Sequence, residues 1–187
     1  GLKSFFEGNY TNAKKTAPIA LKNTDSPTIK AINAVIAARS AHKLEEFIQR
    51  DEYLNIAAKD APDERALRLV TQAELLLDQG HYNEALDTLQ SLYSTGGLQQ
   101  TTVFQLELEA QQQAGNWDAV LELTDLLEKR RPVNNALIKK IKHHAHIENI
   151  KKYASDLPSL NKYWHHLSAE EKTNSKLAIS ATRAYMA

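Results

Sequence analysis

The sequence predicts an all-α protein built from pairs of antiparallel helices, and three observations support this. Good helix formers, chiefly Ala, Leu, Lys, Glu and Gln, dominate a chain of 187 residues. The chain has only 6 Gly and 5 Pro, whereas a sheet protein of this length needs more turn residues. A short phrase, Gly-x-aromatic-x-x-small/apolar, occurs three times. Its recurrence indicates a repeated helix–turn–helix unit.

The phrase begins at Gly8, Gly80 and Gly115. The last two glycines are 35 residues apart and the first two are 72 apart, close to two such periods. A period of about 34 residues is that of the tetratricopeptide repeat, a pair of antiparallel helices. In such a unit the glycine ends the first helix in a tight turn, and the aromatic residue opens the second. We therefore predict a right-handed α-solenoid of tetratricopeptide-like helix pairs.

The predicted array is continuous over the whole chain, as a single domain. Its parts are a partial first repeat (1–27), a degenerate second repeat (28–65), a third (66–100), a fourth (101–134) and divergent C-terminal helices (135–187). Leu2–Phe6 is the predicted tail of a helix, and both ends of the chain look cut from a longer protein. Ala20 and Leu92 fall at positions where the second helix buries a residue.

The second repeat lacks the turn glycine, and Glu45 stands near its place. Its predicted packing residues are Ala34, Ala38, Phe47, Leu54 and Ala57. Pro132 is predicted to end the fourth repeat, because proline cannot continue a helix.

Beyond Pro132 the phrase Gly-x-aromatic no longer occurs. Apolar spacing predicts helices over 136–150 and 157–167. Ser168–Glu171 is a capping-box signature that opens a third, single long helix. The apolar residues of this helix are Leu177, Ile179, Ala181, Ala184 and Tyr185. We interpret these helices as one more divergent pair and the first helix of the next.

Composition excludes several functional classes. The chain has no Cys, which excludes disulfides, thiol catalysis and thiolate metal sites. Its net charge is zero, so we expect no binding to nucleic acid. No phosphate-binding loop, Gly-x-Ser-x-Gly elbow or His-Glu-x-x-His motif is present. We therefore expect a protein that is not an enzyme, holds no metal site and requires no cofactor.

Four stretches resemble the HemY-like proteins of proteobacteria, beyond the generic repeat. They are Gly1–Tyr10, Arg50–Ala57, Thr71–Tyr82 and Leu160–Leu167. The resemblance implies an inner-membrane protein linked to protohaem biosynthesis, whose membrane helices precede a repeat domain on the cytoplasmic face. It implies no catalytic residue, because that family has none agreed.

The first helices of tetratricopeptide pairs line a concave groove, which predicts a partner-binding surface. The candidate residues are Arg39, His42, Lys43, Glu74, Leu77, Asp78, Gln105, Glu109, Gln112, Gln113 and Lys139. Their charges suit an extended or helical peptide of mixed charge. Any of them could equally belong to a solvated helix face.

A cluster of three histidines on one predicted helix is the most distinctive local feature of the sequence. His143 and His146 are three residues apart and share a helix face, while His144 points away. Haem needs one axial imidazole and an apolar slot, so His143 and His146 are candidate haem ligands if the link to haem holds. The alternative to haem ligation is that these histidines belong to an exposed, polar helix face. His165 and His166, beside Trp164, have the same two interpretations.

The predicted function is a non-enzymatic scaffold that binds other proteins, with enzymes of late haem synthesis as its suspected partners. Tethering raises the effective concentration of those partners, and haem itself could pass between them. The alternative is a generic peptide-binding adaptor in an unrelated envelope or assembly pathway.

Overall fold

The computed structural model describes residues 1–93, 101–130 and 135–186. These residues form twelve α-helices and one 3-10 turn, Pro62–Glu64, without any strand. The predicted all-α class is thus confirmed. Pro132, the predicted end of the fourth repeat, lies outside the described residues.

The helices follow one another with short connections. They are α1 Leu2–Phe6, α2 Tyr10–Lys22, α3 Pro27–Lys43, α4 Phe47–Asp60, α5 Arg65–Asp78, α6 Tyr82–Tyr93, α7 Thr101–Ala114, α8 Trp117–Arg130, α9 Asn135–Tyr153, α10 Leu157–His166, α11 Ala169–Lys172 and α12 Ser175–Met186. Of the helices in these described ranges, none combines the length and apolar character that crossing a membrane requires.

The chain divides into two compact units, unit 1 (Gly1–Glu107) and unit 2 (Leu108–Ala187), and the boundary falls within α7. The repeat boundaries drawn from the sequence stay predictions.

Four helices end in the same turn, at Gly8, Glu45, Gly80 and Gly115. These residues have positive φ angles of 75°, 60°, 76° and 70° in that order. Each donates its backbone N–H to the carbonyl three residues back, and the next residue donates to the carbonyl five residues back. This pattern is the Schellman motif. Successive turns are 37, 35 and 35 residues apart, so Glu45 occupies the place of the missing glycine.

The helix after each of these turns starts in the same way. Its first residue is aromatic: Tyr10, Phe47, Tyr82 and Trp117. Three positions later a residue is buried, and these residues are Ala13, Arg50, Ala85 and Val120. A small side chain at this position lets two helices approach closely. The arginine of the second repeat is the exception.

The centre of unit 1 is α3, which packs on α2, α4 and α5. Small side chains on α3 make this close packing possible. Ala34 clusters with Leu21 and Ala57, while Ala38 clusters with Leu54. These burial predictions for the second repeat are confirmed, although its Phe47 is 38% exposed.

The prediction that Ala20 is buried is wrong. The buried residues of α2 are Ala13, Ala17 and Leu21, which lie four residues apart on one face of the helix. Ala20 lies beside that face and is exposed. The matching prediction for Leu92 is confirmed, since this side chain is 1% exposed.

In unit 2, α9 packs on α8, α10 and α12. One hydrophobic cluster of unit 2 consists of Ile150, Leu160, Leu167, Leu177, Ala181 and Ala184.

The capping box at Ser168 is present, with both of its hydrogen bonds to Glu171. The single long helix predicted after it is wrong, because α11 ends at Lys172. Asn174 then starts α12, since its Oδ1 accepts hydrogen bonds from the backbone N–H groups of Lys176 and Leu177, each at 3.1 Å. An asparagine side chain that caps a new helix competes with continuation of the old one.

Candidate functional site

The predicted groove residues of α3 and α5 lie against one another in unit 1. Arg39 pairs with Glu74. Asp78 Oδ2 is 2.9 Å from His42 Nε2 and 3.0 Å from Lys43 Nζ. The basic residues of α3 are therefore compensated by the acidic residues of α5. The hydrogen bonds from Lys43 and His42 hold the pKa of Asp78 below its usual value. Leu77, also placed in the groove by the sequence, is buried.

Beneath this surface lies Arg50, which sequence reasoning missed as a functional residue. It is 7% exposed, and its guanidinium reaches Gln79, Asp51 and the ring of Phe47. Its Nη1 lies 3.5 Å from His42 Nδ1. Because a guanidinium only donates, Nδ1 accepts, and His42 donates from Nε2 to Asp78. The sequence did contain a signal for this residue. Arg50 stands at a position where the phrases that begin at Gly8, Gly80 and Gly115 have Ala or Val.

An open cleft of about 450 Å³ adjoins this cluster. Residues from two successive turns line it: His42, Lys43, Glu45, Phe47, Asp78, Gln79 and His81. The cleft offers both charges, amide groups and one partly exposed aromatic ring. These are the features that recognise a peptide side chain of mixed polarity.

The predicted groove residues of α7 fall on both sides of the unit boundary. Gln105, in unit 1, is exposed, and so are Glu109 and Gln113 in unit 2. Gln112 donates from Nε2 to the Leu108 carbonyl at 3.2 Å. Gln113, although exposed, also bonds within α7, since its Nε2 donates to Glu109 Oε1 at 3.5 Å.

The candidate haem ligand His143 lies at a second cleft, in unit 2. This cleft measures about 280 Å³, and its lining is charged: Glu128, Lys139, Lys142, His143, Ser168, Glu170 and Glu171. Asn174 Nδ2 lies 3.1 Å from His143 Nδ1, and Lys139 pairs with Glu170 at 3.0 Å. Such a lining does not supply the apolar slot that a haem requires.

The other candidate ligand, His146, is buried, and both of its ring nitrogens have partners. Nδ1 lies 2.7 Å from the Tyr163 hydroxyl, and Nε2 lies 3.2 Å from Glu171 Oε1. Burial lowers the pKa of His146 below its ordinary value, more than the nearby Glu171 raises it. The neutral ring therefore donates from Nε2 to Glu171 and accepts from Tyr163 at Nδ1. Binding of iron by His146 would require the loss of one of these bonds.

This histidine belongs to a buried polar network. Asn149, which is fully buried, donates to Asp118 Oδ1 at 2.8 Å and to the Tyr163 hydroxyl at 3.2 Å. Its own Oδ1 has no hydrogen-bond partner among the described residues. Burial raises the pKa of Tyr163 to about 12, so its hydroxyl stays protonated and can donate. The network joins α8, α9, α10 and α11.

Beside this buried network, Lys142 forms ion pairs with three carboxylates. Its Nζ lies 2.6 Å from Asp125, 3.4 Å from Glu128 and 3.6 Å from Glu171. Burial alone would lower the pKa of Lys142, but these carboxylates raise it above its usual value. The described residues contain no group of three or more histidine and carboxylate side chains arranged to hold a metal ion.

Comparison of the chain with protein-family models, with curated proteins and with solved structures gives no match. The functional argument therefore depends on the geometry of these surfaces and on the sequence patterns.

Proposed function

We propose that this chain is a non-enzymatic scaffold that binds other proteins, and that its helix pairs form a right-handed, tetratricopeptide-like α-solenoid. The observation that carries the proposal is the set of four identical turns at Gly8, Glu45, Gly80 and Gly115. An array of this kind exposes a series of helix faces to partners rather than enclosing one reaction site.

Packing within each unit supports the same proposal. In unit 1, α3 contacts α1 and α5, the first helices of the neighbouring pairs, as well as its own partner α4. In unit 2, α9 contacts its own partner α10 and also α12, the first helix of the next pair. Contacts between successive first helices are those that stack one pair on the next.

The partner surface that we propose in unit 1 is the cleft beside α3 and α5, with Lys43, Asp78 and His81 at its rim. The Lys43–Asp78 pair is half exposed, and exposed ion pairs contribute little to stability. A peptide of mixed charge can therefore exchange these contacts for its own at low cost.

The resemblance to HemY-like proteins suggests which partners to test. We propose enzymes of late haem synthesis, such as the ferrochelatase step, gathered at the cytoplasmic face of the bacterial inner membrane. The alternative is a peptide-binding adaptor in an unrelated envelope or assembly pathway.

Affinity capture from a bacterial membrane extract tests this proposal. We expect the unaltered chain to recover haem-pathway enzymes, and a Lys43→Ala/His81→Ala variant to lose them. The matched control, Lys22→Ala/Lys59→Ala, alters exposed residues outside the cleft and should retain them. Recovery only of proteins from other pathways would favour the adaptor, and equal recovery by all variants would remove the cleft from the proposal.

Haem handling is tested separately, by titrating haem and following Soret absorbance. His143→Ala is the informative variant, because His146→Ala would also break the buried network. A saturable band at one equivalent that this variant loses would add haem to what the scaffold carries. Without saturable binding, proteins would be its only partners.

A further inference from the structure

A third cleft, in unit 2, differs in character from the two charged ones. It measures about 340 Å³, lies between the end of α9 and α10, and is lined by Tyr153, Ser159, Lys162, Tyr163 and His166. Its wall is mostly apolar. The rings of Tyr153 and Tyr163 are 5.4 Å apart and tilted by 43°. Two such rings offer faces and edges to a third aromatic group.

One of these rings is firmly held. The Tyr163 hydroxyl is bonded to His146 and Asn149 in the buried network, while its ring lines the cleft. A wall that is already ordered loses little conformational freedom when a ligand binds.

The rim of the cleft is cationic. Lys162 forms no salt bridge with any described residue. His166 Nδ1 lies 2.6 Å from the Lys162 carbonyl, which can only accept, so Nδ1 carries a proton. In the neutral ring Nε2 is then an acceptor, and the cation of this rim is the Lys162 ammonium. Lys152 Nζ lies 5.5 Å from the centre of the Tyr153 ring and 3.7 Å from Asp118. The opposing carboxylate near the cleft is Asp156, which accepts from Ser159 at 2.5 Å.

We propose that this cleft binds a ligand that joins an aromatic ring to a carboxylate. The ring packs against Tyr153 and Tyr163, and the carboxylate pairs with Lys162. The volume is at the lower end for ligand sites, which are typically about 300–1,000 Å³, so one phenyl or indole ring fits it. The C-terminal aromatic residue of a peptide and a free aromatic acid share this chemistry. The site has no residue in common with the surface of unit 1, so neither proposal depends on the other.

The experiment titrates the chain with N-acetyl-L-tryptophan and, in parallel, with N-acetyl-L-tryptophanamide, and follows amide chemical shifts by NMR. The two probes have the same ring, and only the first has a carboxylate. We expect saturable shifts over residues 153–166 with the acid and binding of the amide weaker by about fivefold, the size of one exposed ion pair. Equal affinities, or no saturable shift over these residues, would overturn the proposal.

Lys162→Met removes the charge and keeps most of the side-chain length at an exposed position. We expect it to weaken binding of the acid by about fivefold and to leave binding of the amide unchanged. Lys176→Met is the matched control on α12 and should bind the acid as the unaltered chain does. Equal weakening by both variants would show that general charge, not this cleft, attracts the acid, and would contradict the proposal.

Two further probes show whether the natural ligand is the C-terminal aromatic residue of a peptide or a free aromatic acid. Indole-3-propionate represents a free aromatic acid, and the peptide Gly-Ser-Gly-Ser-Trp represents a chain end. Tighter binding of the peptide would identify a C-terminal aromatic residue as the ligand, and tighter binding of the free acid would identify a small molecule. Failure of both, after N-acetyl-L-tryptophan has bound, would exclude both sources and overturn the proposed ligand class.

Discussion

At the scale of single residues, Glu45 is the most informative position. It has φ of 60°, whereas the three equivalent turns use glycine. A left-handed conformation costs an ordinary residue about 1–2 kcal/mol, because Cβ approaches the following carbonyl oxygen. The second repeat forms the turn despite this cost, which shows that the surrounding helices impose the conformation.

We expect Glu45→Gly to raise the free energy of unfolding by about 1 kcal/mol, since it removes the Cβ strain. Gly80→Ala should lower it by about the same amount, although a Cβ at Gly80 would meet no atom within 4 Å. Urea denaturation followed by circular dichroism measures both. A loss of stability in Glu45→Gly would mean that the glutamate side chain stabilises the turn.

His146 carries the second prediction at this scale. Because burial lowers its pKa in the folded chain, folding favours the neutral ring. This contribution is complete above the unfolded pKa of about 6.5 and is lost as the pH falls from there towards the folded pKa. We expect the NMR titration midpoint of His146 to lie below 6.5, the ordinary value for histidine.

Between pH 7.5 and 5.5 the chain should lose stability through this group, and His146→Gln should lose less. His144→Gln, at an exposed position of the same helix, is the control. The explanation fails if His146→Gln and the unaltered chain have the same dependence on pH.

At the scale of helices, unit 1 contrasts two kinds of connection between α3, α4 and α5. Lys43 and Asp78 form a half-exposed pair at the surface. Arg50 lies below it and joins α4 to both neighbours, through His42 on α3 and through Gln79 at the end of α5. Burial makes the second connection the stronger one, because loss of the bond to His42 leaves a buried nitrogen without a donor.

We expect Arg50→Ala to lower the free energy of unfolding by about 2 kcal/mol, through lost packing of its stem and through the His42 and Gln79 atoms left without a donor. Lys43→Ala should lower it by no more than about 0.5 kcal/mol. Urea denaturation in low and high salt separates the two, since only the exposed pair is screened. Equal effects of the two substitutions would contradict this ranking.

At the scale of the whole molecule, charge and exposed apolar residues act together. The chain has no net charge at pH 7 and a pI of about 7.2. Several large apolar side chains are exposed, including Phe6 at 78% and Ile48 at 79%. Exposed apolar groups on a molecule without net charge favour association, because nothing opposes close approach.

We therefore expect light scattering by the concentrated protein to be greatest near pH 7.2 and to fall at pH 9. Ile48→Lys should reduce scattering at pH 7, because it adds a charge and removes an apolar group, whereas Ile48→Leu should not. Scattering that is independent of pH and of Ile48→Lys would indicate association through another surface.

Much of the local structure was accessible from the sequence. Glycine, aromatic and small or apolar residues at a spacing of 35 predicted the turns and the helix pairs, because each type has a local reason for its position. The capping box at Ser168 was predicted for the same reason, since both of its bonds lie within four residues. The place of Glu45 was found only by counting, because glutamate itself has no preference for that turn.

Contacts between helices were decided by tertiary structure alone. The sequence placed Lys43 and Asp78 on one groove but could not show that they bind each other, because they lie 35 residues apart. It offered His146 as a free ligand, whereas Tyr163 and Glu171, from two other helices, occupy both of its ring nitrogens. Helix propensity, caps and turns depend on neighbours within a few residues, so the sequence by itself determined the all-α class and the repeated turn. Burial and pairing depend on which faces meet, and only the folded units decided those.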